Sequence, residues 1–291
     1  MFPMPYQSRA EIAADRVDEA CAPWQRVVFD EFAATIASPQ RPFPCVFGVA
    51  GFAADQLRYV FIDDAGPDGI RQLGTALRAF IAQARGIGPN TSLVAFFRPD
   101  VPGDIEDYRR RMWTVLNGLA AIDDQPWPAD VPGDPDDPLW EFCFAGEPVF
   151  VVCNTPAHVA RQSRRASSFM LTFQPRWVFD RILGTDAAAD MAFAKVRRRL
   201  AAFDMLPASP DLGRYGAAGI REHRQYFLDD ANRPAPACPF RGQDRAGARA
   251  SARMSEGCEP WSAFMSARSR PGAASPDPPA DAGAGQCGGA A

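Results

Sequence analysis

The chain has 291 residues, 47% of them apolar, a net charge of −4 and 21 phenylalanines. It has length for one large core and the composition of an ordinary globular protein, and its acidic balance excludes a nucleic-acid binder that works by neutralising phosphates. No apolar run approaches the roughly 18 residues of a membrane-spanning helix, and residues 1–6 lead into charged positions without an apolar leader, so the expected address is the cytoplasm, with no membrane partner.

In chain order, residues 1–22 read as an N-terminal extension. Apolar residues three or four apart predict helices over 26–38 (Val28, Phe32, Ile36), 69–85 (Ile70, Leu73, Leu77, Phe80), 104–122 (Tyr108, Met112, Val115, Leu119) and 188–203 (Phe193, Val196, Leu200). Short apolar runs predict strands at 57–63, 92–97, 139–144, 148–153 and 169–173. Ala145-Gly146 predicts a hairpin turn between the third and fourth of these, and the proline- and aspartate-rich stretch 126–138 a surface connection. Thr155-Pro156 predicts a helix start, since the Thr hydroxyl can cap backbone N–H groups and proline suits the first helical position. His158 then falls in the first turn, with Arg161 and Arg165 on its face. Interleaved strands and helices with one hairpin give a mixed α/β class: a single layered domain over 23–240, its mixed sheet flanked by helices. Residues 241–291 contain no valine, isoleucine or leucine and are expected to form a disordered tail. Within it, Trp261 and Phe264 are the only adhesive side chains. The GxGxxG match at 283–288 lacks the strand and helix that a dinucleotide site needs.

In an extended strand Trp140, Phe142 and Phe144 face one way and Glu141 and Cys143 the other. The aromatic wall is either core or one side of a porphyrin slot, and Glu141 is either solvated or a buried carboxylate that meets a cation. His158 is one of two histidines and reads either as a backbone-bonded or exposed ring or as a metal ligand. Arg161, Arg164 and Arg165 form either a solvated face or a set of planar donors for carboxylates. Seven cysteines stand at 21, 45, 143, 153, 238, 258 and 287 without a CxxC pair, which argues against structural zinc and covalently attached haem. In a reducing compartment these thiols stay free.

Several uncommon words recur in one order across 23–240: Arg41-Pro42-Phe43-Pro44-Cys45, Trp140-Glu141-Phe142-Cys143-Phe144, Pro156-Ala157-His158, Gln174-Pro175-Arg176-Trp177 and Cys238-Pro239-Phe240. In these the chain resembles the YqcI/YcgG family. The resemblance implies a haem b-dependent N-oxygenase that hydroxylates an amine or guanidine nitrogen of a small cationic, amino-acid-like substrate. It implies His158 as the iron ligand, with the thiolates Cys45 and then Cys238 as rivals. Arg161, Arg164 and Arg176 are expected on the propionates and Glu141 on the substrate cation, with Asp63, Asp64 and Glu147 as further carboxylates. Without a flavin or nicotinamide motif, O2 chemistry needs an external electron donor or peroxide. One departure is His223, where the family pattern leads us to expect tryptophan. An inherited ligand is not expected there, and a second axial ligand would close the position that oxygen needs. The alternatives are a non-catalytic haem carrier or sensor, and a haem-free enzyme in which His158 activates Cys143 or Cys153.

Overall fold

The computed structural model describes residues 4–17, 21–182, 185–233 and 237–242. By contacts the chain divides into Met1–Ala248, which carries every described element, and Arg249–Ala291. The expected tail, with its glycine run and Trp261, lies outside the described residues apart from Arg241 and Gly242.

Strands β1 (Leu57–Ile62) and β2 (Ser92–Phe97) pair in parallel, joined by helix α4 (Pro67–Ile87). Strands β3 (Cys143–Phe144), β4 (Glu147–Asn154) and β5 (Met170–Pro175) add antiparallel neighbours, giving the order β1-β2-β5-β4-β3. Side chains alternate between the faces of this sheet. Leu93, Ala95, Phe97, Val151, Leu171 and Phe173 point into one buried cluster with α4 and with α5 (Ile105–Ile122). Leu73, Leu77 and Phe80 of α4 are wholly buried there, each side chain contributing about 1.5–3 kcal/mol of transfer free energy. On the opposite face, helices α1 (Arg9–Val17), α2 (Pro23–Ala37) and α3 (Val46–Ala53) supply Ile12, Val28, Phe29 and Phe52, which pack on Tyr59, Val94 and Phe96. That second layer stops short of the far half of the sheet, where Phe150, Val152 and Gln174 face a cleft.

The four long helices and the strands at 57–62 and 92–97 stand where the periodicity places them. The strand expected at 139–144 shrinks to Cys143–Phe144, because the Phe142 N–H is taken by the Tyr226 hydroxyl at 3.0 Å instead of a ladder partner. Ala145 and Gly146 both have positive φ, 52° and 72°, the backbone of a two-residue hairpin turn. The stretch read as an N-terminal extension is docked: Gln7 and Tyr59 exchange both backbone hydrogen bonds at 2.8 Å, and Tyr6 and Ile12 are buried. Beyond β5 follow α6 (Arg176–Ile182), α7 (Asp186–Phe203) and α8 (Glu222–Tyr226). Phe240 closes the described chain against Trp140 and Phe142. No helix among the described residues is long and apolar enough to cross a membrane.

Candidate active site

The segment after β4 is not the helix that Thr155-Pro156 suggests. The Thr155 hydroxyl does accept a local amide, from Ala157 at 3.2 Å. The next three amides, of Val159, Ala160 and Arg161, turn to the Asp230 carboxylate at 2.6, 2.8 and 2.9 Å. One 3₁₀ turn, Gln162–Arg164, follows. Burial pushes the Asp230 carboxyl up, yet these three amides hold it below its usual range. His158 is wholly buried within this loop. Its Nε2 lies 2.8 Å from the Leu228 carbonyl, which can only accept, so Nε2 carries the hydrogen and Nδ1 accepts from the Thr155 hydroxyl at 2.8 Å. Burial drives its pKa down to about 4. Both nitrogens of a neutral ring are therefore engaged in fastening the loop.

The three arginines expected on propionates have separate fates. Arg161 is enclosed, donating to the Asp229 carbonyl at 2.9 Å and to Asn232, while its Nη1, also without a hydrogen-bond partner, lies 3.7 Å from the Asp204 carboxylate. Arg176 joins two buried carboxylates, Glu141 and Glu222, each at 2.6 Å, with the Tyr215 ring stacked 3.8 Å away. Both are committed to internal partners. Arg164 differs. It is 8% exposed and donates once, to the Gln225 carbonyl at 3.1 Å, while its Nη1 has no hydrogen-bond partner. Among the described residues it forms no ion pair, and burial pulls its pKa down to about 10. The cation that meets Glu141 in this structure is the protein's own Arg176. Burial pushes Glu141 up to about 8 against the pull of Arg176, and the neighbouring Glu222 carboxylate adds to the rise.

Arg164, Arg176 and Glu222 line a cleft of about 400 Å³ floored by Phe150, Val152 and Gln174 and walled by Phe193, Val196 and Leu200 of α7. Its volume falls within the roughly 300–1,000 Å³ of small-molecule sites. Cys45 stands at its rim as the N-cap of α3, where its Sγ accepts the Gly48 N–H at 3.3 Å. Cys45 is the only sulfur or imidazole donor among the described residues that line this cleft. A narrower extension of about 120 Å³ shares Cys45, Val152, Ser163 and Gln174 and runs toward α2. The loop bearing Cys45 is tied to α7 by Arg199, which donates to the Phe43 carbonyl at 2.9 Å, and by Arg41, which donates to the Phe203 carbonyl.

The other sequence candidates lie elsewhere. Trp140, Phe142 and Phe144 are wholly buried in the core with α4 and α5, which removes the porphyrin-slot reading of that wall. Cys153 faces the same core, and burial pushes both its thiol and that of Cys143 far up. With both His158 nitrogens occupied, neither cysteine has an imidazole to activate it. Asp63 and Asp64 are exposed, and Glu147 sits 3.7 Å from Arg85. Cys238 and His223 line a separate cleft beside Trp113 and Arg109, with the His223 pKa lowered to about 4 by burial. Gln174, Glu222 and Asp230 escaped the sequence reading as site residues. They gain their roles only through partners dozens of positions away.

A mixed five-stranded sheet with a charged, ligand-sized cleft over its uncovered half defines the class of the molecule. The chain belongs to the YqcI/YcgG family, whose profile matches residues 32–241. It is similar to YcgG of Bacillus subtilis (strain 168), 41% identical over 233 residues covering 78% of this chain and 91% of that one. YqcI of the same organism is 39% identical over 231 residues, with the same two coverages. A third relative is DcsA of Streptomyces lavendulae, provisionally named an N(omega)-hydroxy-L-arginine synthase. It is 34% identical over 237 residues, covering 79% of this chain and 88% of its own. No solved structure matches the chain.

Proposed function

We propose that the protein is a haem-dependent N-oxygenase that hydroxylates an amine or guanidine nitrogen of a small cationic, amino-acid-like substrate in the cleft over β4 and β5. The observation that carries this reading is Arg164, a guanidinium with one unpartnered nitrogen, buried at an apolar-walled cleft without a carboxylate of its own. A buried cation in that state calls for an anionic occupant, and haem b brings two propionates. The residues present fit the group on three counts: aromatic and aliphatic walls, a guanidinium with an unpartnered Nη1, and one soft donor atom. The name of DcsA supports the reaction class, and the family resemblance supports the cofactor.

In this reading one atom of O2 enters an N–H bond, and the other leaves as water once an external donor delivers two electrons and two protons. Bound haem supplies the activation of O2. The chain's own part is to bind and balance charge. Glu222, which lines the cleft, is better placed than Glu141 to receive the substrate cation. Burial raises the Glu141 pKa while Glu222 shares Arg176 with it, and a second cation alongside Glu222 would favour its ionised form. The apolar walls from α7 exclude water from the reacting nitrogen. The five described cysteines are unpaired, which suits the cytoplasmic address proposed from the sequence.

The test is an absorption spectrum of the purified full chain titrated with haemin, followed by incubation with arginine, a reductant and oxygen. The expected result is a haem spectrum and a product one oxygen atom heavier by mass spectrometry. No haem binding overturns the cofactor assignment. Haem binding without product across a panel of guanidines and amines replaces the enzyme by a carrier or sensor.

A further inference from the structure

Of the other candidate iron ligands, His158 has both nitrogens engaged within the protein, and His223 and Cys238 line a different cleft from the one that Arg164 lines. Cys45 remains. We infer that Cys45 Sγ, as a thiolate, is the axial donor to haem iron at this cleft, an assignment that rests on the haem reading above.

Three observations converge on it. The sulfur sits at the positive end of α3 and accepts a backbone N–H there, and a helix N-terminus stabilises a thiolate through aligned amides. Donation from an amide tempers the negative charge on sulfur without protonating it. Independently, Arg164, more than nine-tenths buried and with an orphaned Nη1, lines the same cleft. It requires the occupant to bring negative charge, which a ferric thiolate complex with propionates does. Finally, the Cys45 loop is held against α7 by Arg41, Arg199 and the edge-on contact of Phe43 with Phe203 at 5.5 Å. A donor fixed by its surroundings keeps one geometry through turnover.

Burial pushes the unligated Cys45 thiol up, against the pull of the Gly48 and Phe47 amides and of Arg164 and Arg199. The choice of sulfur bears on the chemistry, because thiolate donation favours O–O cleavage over reversible oxygen binding.

The experiment compares the full chain with Cys45→Ser, Cys45→His and His158→Gln, each loaded with haemin and checked by circular dichroism for folding. Readouts are haem content, the ferrous carbon-monoxide band, and the ferric electron paramagnetic resonance spectrum. The native chain and His158→Gln should show the strongly red-shifted carbon-monoxide band and narrow g-spread of thiolate ligation. Cys45→Ser should lose that signature and bind haem at least about tenfold more weakly, the low end of what losing even an outer partner costs a metal site. Cys45→His should bind haem with an imidazole signature. A thiolate signature that survives Cys45→Ser, or an imidazole signature in the native chain, overturns the assignment while leaving the haem reading intact. A native chain that binds no haem removes both.

Discussion

Arg176 separates two buried carboxylates, and its loss has an asymmetric cost. Arg176→Ala leaves Glu141 and Glu222 buried without a cation, and removing one partner of a buried pair costs about 3–5 kcal/mol, measurable by urea unfolding at neutral pH. Glu141→Gln removes the excess charge and keeps the shape. The Glu141 pKa is raised in the fold to about 8, so its stabilising contribution is full below the ordinary carboxylate range and is lost as pH rises through about 8. Glu141→Gln should flatten that alkaline loss while Arg176→Ala deepens it. His158 has the opposite sign. Its folded pKa is depressed from 6.5 to about 4, so its contribution is full above 6.5 and is lost as pH falls toward 4. The span corresponds to about 3 kcal/mol. Melting temperatures taken across that window should fall steeply for the native chain and less for His158→Gln. A residual slope is expected, because His223 is shifted the same way.

Among elements, the loop at 155–165 depends on a carboxylate that lies some 70 positions downstream. Asp230→Ala leaves the amides of Val159, Ala160 and Arg161 without their acceptor, and hydrogen bonds to charged groups are worth about 1.5–3 kcal/mol each. The mutant should lose at least about 2 kcal/mol, with accelerated hydrogen exchange confined to these amides and their neighbours. A change spread over the whole sheet would contradict this local role. The same loop explains a misreading. Thr155-Pro156 carries the local chemistry of a helix start, and the Thr hydroxyl does accept an amide, but a helix needs the following amides free to point inward along its axis. Here Asp230 captures them, a competitor that no window of neighbouring residues contains. Helices α4, α5 and α7 were legible because their apolar stripes persist over several turns. Helix α3 was not. Its eight residues, Val46–Ala53, are all apolar or glycine, so no polar face marks the period. The Glu141 contact was half legible. Alternation placed it opposite the aromatic wall, while Arg176 as its cation follows from the sheet bringing β5 beside β4.

On the scale of the whole molecule, the sheet has a dry core under α4 and α5 on one side, and on the other a second packed layer from α1, α2 and α3 beside a cleft that Cys45 lines. Residues 243–291 contribute no branched aliphatic side chain, so truncation after Gly242 should leave the melting temperature unchanged. A fall of several degrees would show that Trp261 or Phe264 adheres to the folded part. The cleft itself draws on Cys45, Phe150, Arg164, Gln174, Leu200 and Glu222, positions spread across most of the chain. Contacts of such long sequence separation form late, whereas the β3–β4 hairpin needs only a two-residue turn and closes within about 1–10 μs. During synthesis, with the chain emerging N-terminus first, a growing chain that ends before α8 still lacks the Glu222 wall and the Leu228 and Asp230 fastenings of the Arg161–Arg164 loop. Whatever the cleft holds is therefore acquired only once residues 222–230 have joined the fold, by a chain in which the Arg164 guanidinium still lacks a carboxylate of its own.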